Sequence, residues 1–132
     1  MTALVLRANG LLDVLAGLTL ILTTWDRLYD ALDLPNPGVA PYAQAGGVFT
    51  IAFGYLLWLA PREERLVRPI AAVSAAANLL LVLMGIAWVV DTHLGVSSRH
   101  ALAAAVFVAV LGALGVLEAR IASRRVGVLK PS

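Results

Sequence analysis

Four apolar stretches, each long enough to cross a lipid bilayer, restrict the possible folds of this 132-residue chain more than any other feature. They lie at about residues 4–24, 42–60, 70–90 and 101–117. A transmembrane helix needs roughly 20 mostly apolar residues, so each stretch predicts one membrane-spanning helix. The segments between them are rich in proline, charge or polar residues, as loops outside lipid should be. We therefore predict a single domain over residues 1–132, an all-α integral membrane four-helix bundle with an up-down-up-down path.

The composition argues against a soluble protein. Hydrophobic residues make up 61% of the chain and charged residues 14%, whereas a soluble domain has roughly 45–50% and about 25%. A soluble fold of this size would lack the polar residues to cover its surface. The chain has no cysteine, which excludes disulfides, thiolate metal ligands and a cysteine nucleophile. Its basic residues flank apolar spans, so the expected partner is the lipid bilayer and not nucleic acid.

The basic residues indicate how the chain is oriented in the membrane. Eight of the ten fall on one side of the predicted spans and two on the other. Because loops rich in Lys and Arg stay in the cytoplasm, both termini are predicted to be cytoplasmic. The cytoplasmic residues are Arg7, Arg62, Arg65, Arg68, Arg120, Arg124, Arg125 and Lys130, and the outer ones are Arg27 and Arg99. The basic tail over residues 118–132 is expected to attract anionic lipid headgroups.

The first outer loop carries the pattern of a short amphipathic helix at about residues 25–33. Its apolar residues stand at i, i+3, i+4 and i+7 and are Trp25, Leu28, Tyr29 and Leu32. Such a helix is expected to lie in the headgroup region or over the outer mouth of the bundle. We favour a short interfacial connector, and the alternative interpretation is a functional lid.

Polar residues inside the spans are costly in lipid, so their positions carry the most information about function. Asp13, Thr50 and Asn78 each fall near the middle of a span. We predict that they form a small polar cluster at the bilayer midplane, with Asp13 at its centre and with Asn9 and Ser74 beside it. Asp13 is then either a protonatable site of a proton-coupled transporter or a buried carboxyl that joins helices by hydrogen bonds.

Small residues recur at fixed offsets beside these polar positions. In membranes, small residues let helix backbones approach each other closely. The predicted packing positions are Gly10, Gly17, Gly47, Gly54, Gly112 and Gly115. The small-residue faces of spans three and four also suit docking to helices of other subunits. Near the inner interface, Arg7 and Glu118 are predicted to form an ion pair.

The sequence lacks the patterns of common catalytic and cofactor sites. No histidine lies in a span, so a transmembrane haem has no axial ligands. Asp91 and His93 in the second outer loop could contribute to a metal site, but we favour a solvated surface there. No Ser–His–Asp order, phosphate-binding glycine loop or zinc spacing is present. We therefore expect no catalytic residue, no metal and no cofactor.

Two patterns in the first half of the chain have a counterpart among known proteins. Span one reads Arg7-x-Asn9-Gly10-x-x-Asp13-x-x-x-Gly17, and span two runs from Ala45-Gly46-Gly47 through Gly54-Tyr55 to Ala60-Pro61. Both resemble small four-helix bacterial membrane proteins of the DoxX-like kind. The resemblance implies a bundle in a bacterial cytoplasmic (inner) membrane, associated in some members with redox partners. It carries over no catalytic residue.

Two functions are compatible with these features. The first, which we favour from the sequence, is a non-catalytic accessory or scaffold subunit of a larger membrane complex. Its partners would be other membrane subunits or a second copy of the chain. The alternative is a proton-coupled transporter or binder of a small lipophilic molecule that uses the polar cluster around Asp13.

Overall fold

The computed structural model describes residues 1–22, 25–32, 40–90 and 98–123, and throughout these ranges the chain is helical apart from short turns. A 3-10 turn over Ala60–Arg62 connects the third helix to the fourth. The α-helices are α1 (Thr2–Ile21), α2 (Asp26–Leu32), α3 (Ala40–Leu59), α4 (Glu64–Val90) and α5 (Ser98–Ser123).

Four of these helices are long and apolar enough to cross a membrane, which confirms the prediction of an all-α chain with four candidate membrane spans. The apolar windows are Thr2–Ile21, Pro41–Arg62, Glu64–Ala87 and Ala105–Ser123. The fourth window differs from the predicted span because it continues to Ser123 and so includes Glu118. The apolar run resumes after that carboxyl with Ala119, Ile121 and Ala122.

The boundary between α3 and α4 follows from its residues. Pro61 occupies the start of the 3-10 turn, where a missing backbone N–H costs little. Glu64 then stands in the first turn of α4, where a negative charge interacts favourably with the helix dipole. The helix therefore begins six residues before the predicted span, in a charged segment that apolar periodicity alone would exclude.

The short helix α2 lies where the amphipathic pattern predicts a helix, and it ends at Leu32. Asp26 stands in its first turn, and the neighbouring Trp25 is exposed. The side chains of Leu28, Tyr29 and Leu32 are not among those that the structure describes. The last residue of the predicted helix, Asp33, also lies outside the described residues, as do residues 124–132 of the predicted basic tail.

Glycines bring α1 and α3 into direct backbone contact. A methyl group at Gly10 would lie 2.5 Å from the carbonyl oxygen of Gly54, and one at Gly17 would lie 2.6 Å from that of Gly47. A methyl group at Gly54 would likewise lie 2.6 Å from the carbonyl oxygen of Gly10, and one at Gly47 would lie 2.5 Å from that of Gly17. The numbering of these contacts rises along α1 and falls along α3, so the two helices are antiparallel. No other residue type fits at such an approach.

The helices α4 and α5 form a second antiparallel pair. A methyl group at Gly115 would lie 3.2 Å from Leu79, and one at Gly112 would lie 3.8 Å from Val82. Gly85 of α4 faces Val108 in the same way. The glycines of the fourth span, which the sequence suggested for docking to other subunits, therefore face α4 of the same chain.

The two helix pairs meet at one end of the molecule. The residues buried there come from the start of α1, the end of α3, the start of α4 and the end of α5. They are Val5, Leu6, Leu57, Ala60, Ala71 and Ile121. Contacts between the two pairs are far sparser than contacts within each pair. The described part of the chain is thus two tightly packed helix pairs joined mainly at this apolar cluster and at the polar residues next to it.

A buried carboxyl between two helix pairs

Four polar side chains from three helices converge next to the apolar cluster. They are Asn9 of α1, Ser74 and Asn78 of α4, and Glu118 of α5, and their exposed fractions are 0%, 1%, 3% and 0%. The Nδ2 group of Asn9 donates to Ser74 Oγ at 2.8 Å and to Glu118 Oε1 at 2.9 Å. The Nδ2 group of Asn78 donates to Glu118 Oε2 at 2.9 Å. We call these four residues the Glu118 tetrad.

The local sequence explains why these side chains meet. Ser74 and Asn78 are four residues apart on α4 and so share one face of the helix. Gly115 stands one turn before Glu118 on α5, and a methyl group there would lie 3.4 Å from Asn78 Cβ. The small residue thus allows α5 to approach α4 closely enough for the carboxyl to reach the Asn78 amide. Gly10, next to Asn9, allows the corresponding approach of α1 to α3.

Glu118 has no basic partner in the described part of the chain. Arg65 pairs with a different carboxyl, that of Glu63, at 3.7 Å on the surface. Both oxygens of the Glu118 carboxyl instead accept hydrogen bonds from neutral amides. A charged group in a membrane interior is costly unless it is paired. The tetrad is therefore a site at which one positive charge would be stabilised.

The structure does not bring Arg7 to Glu118, although the sequence suggested an ion pair between them. The Arg7 guanidinium instead lies over the ring of Trp58, 5.7 Å from its centroid. Arg7 and Asn9 are two residues apart on α1, so they point to nearly opposite sides of the helix. Asn9 faces the interior, and Arg7 consequently faces away from Glu118.

One atom of the tetrad lacks a hydrogen-bond partner. The Oδ1 atom of Asn9 is buried and accepts no hydrogen bond in the described part of the chain. Its Nδ2 group, by contrast, donates two hydrogen bonds. An unsatisfied polar atom in an apolar interior costs about 1–3 kcal/mol. Buried polar atoms without a partner are uncommon, and a bound water or ion is one way to satisfy them.

The predicted midplane cluster is divided between two locations. Asn9, Ser74 and Asn78 come together, with Glu118 as their carboxyl. Asp13, the predicted centre, lies in the interface of α1 with α3, where a methyl group at Gly54 would be 3.0 Å from its Cβ. Asp13 is half-buried and makes no hydrogen bond or ion pair with any described residue. It lies near enough to Glu118 for the two carboxyls to repel each other when both are ionised.

Thr50 also lies apart from the tetrad. Its hydroxyl donates to the Gly46 carbonyl one turn earlier in α3, at 2.8 Å. This bond within the helix satisfies the hydroxyl, so Thr50 needs no partner from another span. The predicted contribution of Thr50 to a polar cluster is therefore replaced by a local interaction.

The described residues contain no cluster of the side chains that usually bind transition metals or zinc. No group of three or more His, Cys, Asp or Glu side chains occurs among them. Asp91 and His93, considered for a metal site from the sequence, lie outside the described residues. The oxygen atoms of the tetrad, from one carboxyl, two amides and one hydroxyl, make up a different and harder ligand set.

Comparison of the chain with protein-family models, with curated proteins and with solved structures gives no match. The resemblance to DoxX-like proteins therefore stays a prediction from the two sequence patterns. Any assignment of function has to come from the chemistry of the tetrad and from the arrangement of the helices around it.

Proposed function

We propose that the chain is a multi-pass protein of a bacterial cytoplasmic membrane, with an up-down-up-down path and both termini in the cytoplasm. The excess of basic residues on one side of the spans supports this orientation. The antiparallel packing of α1 with α3 and of α4 with α5 is compatible with it. In this arrangement α2 lies at the outer surface, with Trp25 in the headgroup region.

We further propose that the protein is a proton-coupled carrier or binder of a small lipophilic molecule, with Glu118 as its protonatable group. The observation that carries this function is a fully buried carboxyl with two amide donors and no basic partner in the described chain. Ionisable residues at such positions in membrane proteins usually serve transport or proton transfer. Asp13, to which the sequence gave this role, becomes a second carboxyl beside the site.

The arrangement of the helices supports transport more than a static role. Carriers commonly place their ion site between two bundles that move against each other as rigid bodies. The tetrad has this position, because Asn9 belongs to the α1–α3 pair whereas Ser74, Asn78 and Glu118 belong to the α4–α5 pair. Each pair is tightly packed within itself, and the contacts between the pairs are sparse. Loss of the bonds from Asn9 would leave the two pairs free to separate at this point.

A measurement of proton uptake tests the role of Glu118. In infrared difference spectra of the purified protein between acid and alkaline solution, we expect a carboxyl band that Glu118→Gln removes. Asp13→Asn and the exposed-site control Glu63→Gln should keep that band. Binding of ethidium, used as a lipophilic probe, should release a proton from the wild type into weakly buffered solution. Unchanged spectra in Glu118→Gln, or ethidium binding without proton release, would contradict the function.

A second candidate function, an accessory subunit, has support from the exposed face of α3, which carries Tyr42, Gly46 and Phe49. Tyr42 and Phe49 are among the most exposed large side chains, at 80% and 76%. Gly46 lies between them in sequence, and a methyl group there would meet nothing within 4 Å. An open glycine flanked by aromatic residues suits close packing by a helix of another membrane protein.

Purification from native membranes in mild detergent tests the accessory role. We expect a partner protein in fixed stoichiometry with the wild type. The variant Gly46→Leu should lose this partner, because its side chain would block close approach, whereas Leu66→Ala on the exposed face of α4 should keep it. Recovery of the chain alone, or retention of the partner by Gly46→Leu, would exclude docking at this face.

A further inference from the structure

We propose that the Glu118 tetrad is a binding site for a monovalent metal cation, Na⁺. Its ligands would be the Glu118 carboxylate, the amide oxygens of Asn9 and Asn78, and the Ser74 hydroxyl. This site rests on the proposed function only in that both use Glu118. It adds a metal cation to a site for which the proposed function uses a proton alone.

The donor atoms of the tetrad are those that a hard cation requires. Two carboxylate oxygens, two amide oxygens and one hydroxyl oxygen give five potential ligands within one cluster. Carboxylate, amide and hydroxyl oxygens bind hard cations, and the tetrad holds no sulfur or imidazole ligand for a softer metal. A larger cation would need more oxygen ligands than these side chains provide.

The charge of the tetrad selects a monovalent cation. Glu118 is its one ionisable member, and no basic side chain of the described chain pairs with it. In a low-dielectric interior, a single carboxylate neutralises a single positive charge. A divalent cation would leave a net charge of one in the site, at a high desolvation cost. Na⁺ therefore fits the tetrad better than Ca²⁺ or Mg²⁺.

Rotation of the side-chain amide of each asparagine would turn its oxygen toward the cation in place of its N–H donor group. Their Nδ2 groups donate hydrogen bonds to Glu118. The last torsion of an asparagine side chain has two broad minima, so a half-turn presents Oδ1 in place of Nδ2. In this rotation Asn9 gives up the two hydrogen bonds that its Nδ2 group donates, whereas its Oδ1 atom, which accepts none, loses no bond. The unsatisfied oxygen would gain the cation as its partner.

Charged groups near the tetrad bear on the conditions of a binding test. The Asp13 carboxyl lies near enough to Glu118 for the two groups to interact electrostatically. Arg7 lies over Trp58, and Arg68 donates from Nε to the Ala122 carbonyl at 3.2 Å. A proton competes with Na⁺ for the same carboxylate, so binding is best measured in alkaline solution.

Thermal unfolding of the full-length protein in detergent tests the site, with NaCl, KCl and choline chloride compared at equal ionic strength in alkaline solution. Na⁺ at about tenfold above its Kd is expected to raise the Tm by roughly 5 °C relative to choline. K⁺ should have a smaller effect. The dependence on Na⁺ should disappear in Glu118→Gln and in the milder variant Ser74→Ala, and it should persist in Glu63→Gln.

Retention of radioactive Na⁺ by the purified wild type gives a second measurement that needs no variant. We expect saturable retention that unlabelled Na⁺ displaces and choline does not. Equal Tm values in NaCl and choline chloride, together with no saturable retention, would overturn the Na⁺ site. If the infrared band of Glu118 titrates in that case, the proposed proton coupling stands alone. If Na⁺ binds and no proton is taken up, the proton-coupled function fails and the metal site stands.

Discussion

Replacement of Gly10 by alanine is expected to lower the Tm of the protein in detergent by roughly 10 °C. A methyl group at this position would lie 2.5 Å from the Gly54 carbonyl oxygen and 3.2 Å from the Trp58 nitrogen. Both are backbone atoms, so the clash cannot be relieved by a side-chain rotation. The helices α1 and α3 would have to separate, which would also loosen contacts at Gly17. Overpacking of this kind costs about 1–3 kcal/mol, and at a backbone contact we expect the upper end.

Gly46→Ala is the matched control for this prediction. Gly46 lies in the middle of a helix as Gly10 does, but a methyl group there would meet nothing within 4 Å. Alanine is the better helix former by about 1 kcal/mol, so the control should be neutral or slightly stabilising. The comparison separates the packing effect from helix propensity. Similar Tm values for the two variants would show that α1 and α3 do not pack through Gly10.

The number and approximate positions of the spanning helices could be predicted from local sequence. Span length and apolar composition suffice for this purpose, because a bilayer span requires little else. The largest difference between prediction and structure lies at the fourth span, because the predicted span ends at residue 117, before Glu118, and the apolar window of the structure continues to Ser123. A single carboxyl after an apolar run, with Arg120 two residues later, is typical of a helix end at the interface. The apolar residues 119, 121 and 122 are the feature of the sequence that indicates a continuation of the apolar span beyond Glu118.

The composition of the polar site was harder to predict than the positions of its residues. Depth along each span placed Asn9, Ser74 and Asn78 among the residues of interest, but depth does not tell which face of a helix turns inward. Asp13 shares a face with Gly10 and Gly17, and this face packs on α3. Asn9 is one turn away from Asp13 and yet reaches α4 and α5. This division depends on helix crossing geometry, for which one sequence offers no measure.

Replacement of Glu118 by alanine is expected to destabilise the protein by about 3 kcal/mol. The variant removes the acceptor of two buried hydrogen bonds, those from Asn9 and Asn78. It leaves their Nδ2 groups without that acceptor and opens a cavity between α5 and its neighbours. Glu118→Gln keeps the shape and one acceptor oxygen, and should cost about 1 kcal/mol. Reversible unfolding by SDS in mixed micelles would measure both values.

The exposed carboxyl Glu63 again provides the control for the loss of Glu118. Its ion pair with Arg65 is on the surface, so Glu63→Ala should change stability by less than about 0.5 kcal/mol. A double-mutant cycle of Glu118→Ala with Asn78→Ala would isolate the bond between these two residues, with a coupling of about 0.6–1.7 kcal/mol if it resembles other bonds between membrane helices. A coupling of zero, with Glu118→Ala as stable as Glu63→Ala, would show that the carboxyl does not join α5 to α4. A large coupling would show that a change at the Glu118 carboxyl acts directly on the contact between α4 and α5. The same cycle with Asn9→Ala in place of Asn78→Ala tests the contact between the helix pairs, on which transport by relative movement of the pairs depends.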